Sequence, residues 1–109
     1  MSYDVGIKLI TTDNSDVYTD LSSHNYTSNV HEVFYDVIPG GIKALDGLTT
    51  GEAKPLLEAA LVKIEQNRAE YHEMLKNLTW GNLEGAENFL RKILLSCIEV
   101  TEVRITVSA

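Results

Sequence analysis

Basic residues, cysteine and long apolar runs are scarce in this chain, and each shortage excludes a class of function. Nine Lys and Arg residues stand against sixteen Asp and Glu residues, which gives a formal net charge of -7. A surface of this charge repels phosphate polymers and anionic lipid, so we expect neither nucleic acid nor a membrane as partner. No apolar run approaches the roughly 18 residues that a transmembrane helix needs.

The single cysteine, Cys97, cannot form an internal disulfide. It falls on the apolar stripe of a predicted helix, so we expect it to be a buried small hydrophobic residue. The first residues, MSYDVGIKLITTDNSD, contain neither the basic nor the apolar segment of a secretion signal. We therefore expect a cytoplasmic protein.

The length and composition are those of one small globular domain that spans residues 1–109. Apolar residues make up 44% of the chain and charged residues 23%, which argues against disorder. A chain of this length buries roughly 65% of its unfolded surface, which is enough for one core without disulfides.

Hydrophobic periodicity predicts three strands and three helices. Apolar and polar residues alternate over 3–9 and over 102–107, which is typical of strands with one buried face. The segment DVYTDL predicts a short second strand in a hairpin with the first. Apolar residues recur at three and four positions in three further segments, which predict helices over 29–38, 54–75 and 83–98. We predict an α+β fold: a small antiparallel sheet that includes the N- and C-terminal strands, packed by three helices.

Polar residues at the predicted helix starts match known caps. Ser28 or Asn29 suits the first helix and Asn82 the third. Thr49 with Glu52 matches a capping box for the second helix, although Pro55 favours a regular helix that begins only near residue 54. The segment between the first two helices contains two turn signals and is predicted to be a loop.

No catalytic or metal-binding motif is complete. The pairs His31-Glu32 and His72-Glu73 lack the second histidine of a zinc protease signature. Segment 22–24 has serines beside a histidine but none of the flanking glycines of a nucleophile elbow. Segment 40–43 lacks the spacing of a phosphate-binding loop and is expected to be a plain turn. We therefore expect a protein that is not an enzyme and has no metal or cofactor.

Two polar segments precede predicted helices and offer more hydrogen-bonding groups than a cap requires. Either they only satisfy backbone groups as loops, or the two helix starts converge around a small polar ligand. In the second interpretation Tyr26 or Trp80 would stack on the flat part of the ligand. Gly85, in the first turn of the third helix, would allow the ligand or another backbone to approach closely. The candidate ligand-binding residues are His24, Asn25, Tyr26, Thr27, Asn29, Trp80, Asn82 and Glu84.

Three stretches resemble a family of small, mostly uncharacterised bacteriophage proteins. They are HNYTSN, GLTTGEAKPLLEAAL and WGNLEGAENFLRKILLSC, of which the last is the most specific, and the resemblance covers residues 1–109. The family name brings no established activity. The resemblance implies a phage origin and a location in the cytoplasm of the infected bacterial host.

This setting leads to two hypotheses. In the first, the protein is a phage accessory protein that sequesters a small nucleotide-like ligand to counter host defence, without catalysis, in a homo-oligomer whose pockets are completed by a second subunit. In the second, its acidic surface inhibits a host defence protein, such as a CRISPR effector, by direct binding. Uncharged polar residues concentrate in the two segments while acidic residues are spread along the chain, so the sequence favours the first hypothesis.

Overall fold

A computed structural model describes residues 2–10, 18–27, 30–78, 81–99 and 104–108. The described elements comprise three strands, four α-helices and one short 3-10 helix. In chain order they are β1 (Ser2–Ile10), β2 (Tyr18–Thr27), α1 (His31–Val37), the 3-10 helix (Ile42–Leu45), α2 (Thr50–Gln66), α3 (Arg68–Leu75), α4 (Leu83–Glu99) and β3 (Arg104–Ser108).

The strands pair through their backbones in the order β2-β1-β3, with both pairings antiparallel. Ile7 lies opposite Ile105 and Val5 opposite Val107. The sequence predicted that both strands lie in one sheet, and the structure adds that β1 pairs directly with β3. The second strand is longer than DVYTDL predicts, because it continues to Thr27, which pairs with Ser2.

The outer edge of β3 is covered by the segment that precedes α2. Gly47 N–H donates to the Ile105 carbonyl at 2.9 Å, and Ile105 N–H donates to the Leu48 carbonyl at 2.9 Å. The Asp46 carboxylate accepts a hydrogen bond from Val107 N–H at 2.9 Å. These contacts satisfy backbone groups that an open edge would leave to solvent.

The predicted α+β fold class is wrong, because helices dominate the packed part of the chain. Among residues 26, 30–78, 81–99 and 104–107, where side chains as well as backbone are described, 74% are helical and 8% belong to strands. Within those residues β3 is the single strand present as a continuous element, and four α-helices replace the three predicted. Among the residues whose side chains are described, helix-on-helix burial builds most of the core.

The predicted second helix is two helices. Thr49 and Glu52 form the expected capping box, in which each side chain accepts a hydrogen bond from the backbone N–H of the other residue. Helix α2 therefore begins at Thr50, and Pro55 lies inside it. The hydrogen bond that the Glu52 carboxylate accepts from the backbone N–H of Thr49 is the main reason why the pKa of Glu52 is lowered. At Asn67 the backbone leaves helical geometry, with φ -126° and ψ 31°, and this residue separates α2 from α3.

The N-cap position of α1 differs from both predicted residues. That position is Val30, which has no side chain to accept a hydrogen bond from the helix. The predicted caps, Ser28 and Asn29, lie outside the described residues. Helix α1 is held instead by burial, since Val33, Phe34 and Val37 are all buried.

The core lies between α1, α2 and α4. Buried positions recur along α4 at the predicted helical spacing and include Phe89, Leu90, Ile93 and Cys97. Leu57, Ala60 and Ile64 of α2 are fully buried, and Ile105 contributes from β3. None of the described helices is both long and apolar enough to cross a membrane.

Polar contacts fix how the helices meet. The Arg68 guanidinium donates to the nearly buried Glu87 at 2.5 Å, which joins the start of α3 to the middle of α4. The Tyr71 hydroxyl donates to the Asp36 carboxylate, which also lies 3.8 Å from Lys63 Nζ. The pKa of Tyr71 is raised well above its usual value, mainly by burial and secondly by this hydrogen bond. These contacts tie α1 and α4 to the α2–α3 pair.

We expect Cys97 to resist a bulky thiol reagent in the native protein. It is 3% exposed, and burial raises the pKa of its thiol to about 11. Because the raised pKa favours the folded state while the thiol is protonated, this contribution to stability is complete below pH about 9 and is lost as the pH rises toward 11. Labelling should therefore follow unfolding in denaturant. Rapid labelling of the folded chain would contradict the burial of the α4 stripe, and Cys97→Ala provides the unlabelled control.

Candidate functional site

The end of β2 meets the start of α4 at two residues that the sequence marked as candidates. Asn82 N–H donates to the Tyr26 hydroxyl oxygen at 3.0 Å. The same hydroxyl lies 3.4 Å from the Asn82 carbonyl oxygen, to which it donates. We call Tyr26, Asn82 and Gly85 the β2–α4 junction.

Asn82 is the cap of α4. Its side-chain oxygen Oδ1 accepts a hydrogen bond from Gly85 N–H at 2.7 Å, at the third position of the helix. Gly81, just before it, has φ +86°, a backbone conformation that glycine adopts without strain. The sequence Gly-Asn thus turns the chain and then satisfies one of the unpaired N–H groups at the helix start.

Gly85 makes room for Tyr26. A Cβ atom at this position would lie 2.1 Å from the Tyr26 hydroxyl oxygen and 2.7 Å from the ring carbon that carries it. It would also lie 3.1 Å from Asn82 Oδ1. The close approach expected from the sequence therefore comes from a tyrosine of β2.

The Tyr26 ring belongs to a row of aromatic side chains that leads into the core. Its centroid lies 5.8 Å from that of Phe89, with 30° between the ring planes. Phe89 in turn lies 5.8 Å from Phe34 of α1, at 45°. Tyr26 is itself partly exposed, so the row runs from the protein surface to the buried centre of α1.

An exposed pair flanks the junction. The Glu84 carboxylate, in the first turn of α4, lies 3.1 Å from His72 Nε2 of α3. A carboxylate in the first turn complements the positive end of the helix dipole. His72 could not be predicted as a neighbour of Glu84, because no local sequence pattern connects the two residues.

The remaining candidates divide into two groups. His24, Asn25 and Thr27 lie in β2, where they pair with Val5, Asp4 and Ser2 of β1. The prediction of a loop over these residues is therefore wrong, since backbone pairing with β1 extends the strand through a polar segment. Asn29 and Trp80 lie outside the described residues. Of the eight candidates, the structure brings Tyr26 and Asn82 into direct contact.

The polar atoms of the junction are already engaged within the protein. The Tyr26 hydroxyl and the Asn82 side-chain oxygen both have backbone partners. What the junction presents to a ligand is the aromatic ring of Tyr26, the positive end of α4 and the exposed His72–Glu84 pair. No group of three or more His, Cys, Asp or Glu residues suited to a metal ion occurs in the described part of the chain. The described residues of the junction thus place an aromatic ring beside the positive end of a helix.

Comparison of the chain with models of protein families, with curated proteins and with solved structures gave no match. The resemblance to bacteriophage proteins stays a prediction from sequence.

We expect Gly85→Ala to destabilise the protein, although alanine is the better helix former by about 1 kcal/mol. The added methyl group overlaps the Tyr26 hydroxyl and forces the ring away from Asn82. The expected net loss is about 1–3 kcal/mol, the usual range for overpacking a fixed site. Denaturant unfolding monitored by circular dichroism gives the free energy of unfolding.

The control is the same substitution in a Tyr26→Ala background, where the obstructing ring is gone. There Gly85→Ala should be neutral or stabilising by up to about 1 kcal/mol. An equal loss of stability in both backgrounds would show that contact with Tyr26 is not the reason for a glycine at position 85.

Proposed function

We propose that this protein is a non-catalytic binding protein that holds a small polar, nucleotide-like ligand at the β2–α4 junction. The observation that carries the proposal is the contact between Tyr26 and Asn82, which brings an aromatic ring to the start of a 17-residue helix. The resemblance to bacteriophage proteins supports a role as an accessory protein that counters host defence in the cytoplasm of the infected bacterium.

Stacking and the helix dipole would supply the binding energy. A base on an aromatic ring contributes about 1–3 kcal/mol, and the amino-terminal end of a helix attracts anionic groups such as phosphate. Tyr26 has the partial exposure that stacking needs. Its engaged hydroxyl holds the ring in one orientation, which lowers the entropy lost when a ligand binds.

Glu84 and His72 would select among ligands. The Glu84 carboxylate repels an anion from the helix start, and His72 Nε2, 3.1 Å away, can donate a hydrogen bond to that carboxylate. A ligand with a hydrogen-bond donor would gain from Glu84 directly. These effects favour a small molecule that has both donors and acceptors over a polyphosphate.

A second candidate function is inhibition of a basic host defence protein, such as a CRISPR effector, by an acidic surface. Net charge is -7, and Glu58 and Glu70 are exposed on α2 and α3 without an ion pair in the described residues. By contrast, Arg68 and Lys76 already pair with Glu65 and Glu73. The unpaired carboxylates are available to attract a basic partner.

The ligand proposal predicts that small molecules accompany protein purified from phage-infected cells. Mass spectrometry of the supernatant after denaturation should identify them, and calorimetry with the identified molecule should then measure affinity. Tyr26→Ala should weaken binding by about 1–3 kcal/mol through loss of stacking. Tyr26→Phe is the matched comparison, because it keeps the stacking ring and removes only the hydroxyl that orients it, so it should weaken binding less than Tyr26→Ala does.

Variants of Asn82 distinguish a residue that only caps α4 from one that also contacts the ligand. Asn82→Ala should lower stability by about 1 kcal/mol, and Asn82→Asp should retain the cap. An empty preparation, or ligand affinity that falls only in proportion to stability across Tyr26 and Asn82 variants, would count against the site.

The second candidate predicts that Glu58→Lys and Glu70→Lys together abolish inhibition of the host enzyme. Such charge reversals at an exposed interface should slow association and lower its sensitivity to salt, because less electrostatic attraction remains for salt to screen. Surface plasmon resonance at two salt concentrations measures both. Ligand binding at the junction should be unchanged in the same variant, so the two candidates give opposite results.

A further inference from the structure

The outward face of α4 exposes two large apolar side chains one turn apart. Leu95 is 52% exposed and Ile98 is 51% exposed. Leu94, beside them, is only partly buried against the core. Isolated exposed leucines are common on protein surfaces, whereas neighbouring ones on a single helix face indicate a contact surface.

Two opposite charges lie on the same face, on either side of Leu95. Lys92 and Glu99 are both exposed, and neither makes an ion pair with any residue in the described part of the chain. They are seven residues apart, or about 10 Å along the helix axis, which exceeds the spacing at which helix side chains pair. Each charge is thus available to another molecule.

Glu99 is poorly placed in the isolated chain. It is the last residue of α4, and the last turn of this helix contains no basic residue. The carboxyl end of a helix carries partial negative charge, so a carboxylate there is unfavourable unless a cation lies nearby. The described chain supplies no such cation.

We propose that a second copy of this chain covers the face, in a twofold dimer whose two α4 helices run antiparallel with Leu95 on the axis. A helix advances about 1.5 Å and 100° per residue. Lys92 precedes Leu95 by three residues and Glu99 follows it by four, which places both on the same side of the face, about 20° apart around the helix.

The twofold axis reverses the helix direction and brings the complementary groups together. Lys92 of one chain comes within about 1.5 Å, along the axis, of the level of the partner's Glu99. Arg91 reaches the level of the partner's Ile98 on the opposite side, where its aliphatic stem can cover the exposed side chain. Every contact occurs twice, as a self-complementary interface requires.

This dimer accounts for the three features at once. In the dimer, Leu95 and Ile98 are buried from solvent, and Lys92 forms an ion pair with a carboxylate of the partner. The partner's Lys92 in turn supplies the cation that the last turn of α4 lacks. The antiparallel arrangement also sets the two helix dipoles in opposite directions. The inference is independent of the proposed ligand site, since it uses residues 91–99 of α4 and the proposed site lies at the start of that helix.

Sedimentation equilibrium of charge-reversal variants tests the pairing. K92E and E99K should each weaken the dimer by about tenfold or more, because both symmetric pairs become repulsive. The double variant K92E/E99K should recover the wild-type association. An equimolar mixture of the two single variants should form a heterodimer, because all four charges then face opposite ones.

Two further variants fix the location of the interface. Leu95→Glu should give a monomer, whereas Met74→Glu, at an exposed apolar residue of α3, should leave association unchanged. Thermal melts confirm that each variant is folded. A wild-type chain that stays monomeric at every concentration, a dimer that survives Leu95→Glu, or single variants that fail to associate when mixed would each overturn the proposal.

Discussion

Burial of one face of α4 is the interaction on which the other contacts of this chain depend. Helix α4 packs against α2, α3, β1 and β2, and its inward positions are almost all buried. Full burial of each leucine, isoleucine or phenylalanine contributes about 1.5–3 kcal/mol. Once that face is fixed, the start of the helix must meet Tyr26 and its opposite face must point to solvent. The β2–α4 junction and the outward surface around Leu95 are thus two consequences of one packing arrangement.

The junction shows how a residue that is poor for local structure can be required by a distant contact. Gly85 weakens the first turn of α4 by helix propensity alone, and its presence is explained by a tyrosine that lies 59 positions earlier in the chain. Asn82 serves both segments, because its side chain caps the helix while its backbone N–H bonds to Tyr26. One asparagine therefore positions both the start of α4 and the end of β2.

Periodicity predicted the elements whose residues alternate between core and solvent. It identified α4 almost to its ends, together with β1 and the strand β3. It failed for the polar end of β2, where pairing with β1 creates a strand without an apolar pattern. It also missed the break at Asn67, since the apolar spacing continues across it. The fold class was predicted wrongly because the number of predicted helices and strands does not show which of them bury side chains in the core.

The candidate site was predictable only in part, for a similar reason. The sequence marked Tyr26 and Asn82 as polar residues with surplus hydrogen-bonding capacity, and Gly85 indicated a close approach. It could not indicate that these three residues satisfy one another, because Tyr26 and Asn82 are separated by 56 positions. The contact of His72 with Glu84 likewise depends on how α3 folds back beside α4, which no local pattern encodes.

The covered edge of β3 has a consequence for aggregation. Residues 46–49 occupy the backbone groups through which β3 could otherwise recruit a strand from another molecule. Because the order of the described strands is β2-β1-β3, β2 is at the other edge of the sheet. Among the described strands, β2 is then the one whose edge is open to a strand from another molecule. Strand addition at this edge would end after two molecules meet edge to edge, rather than continue into a fibril.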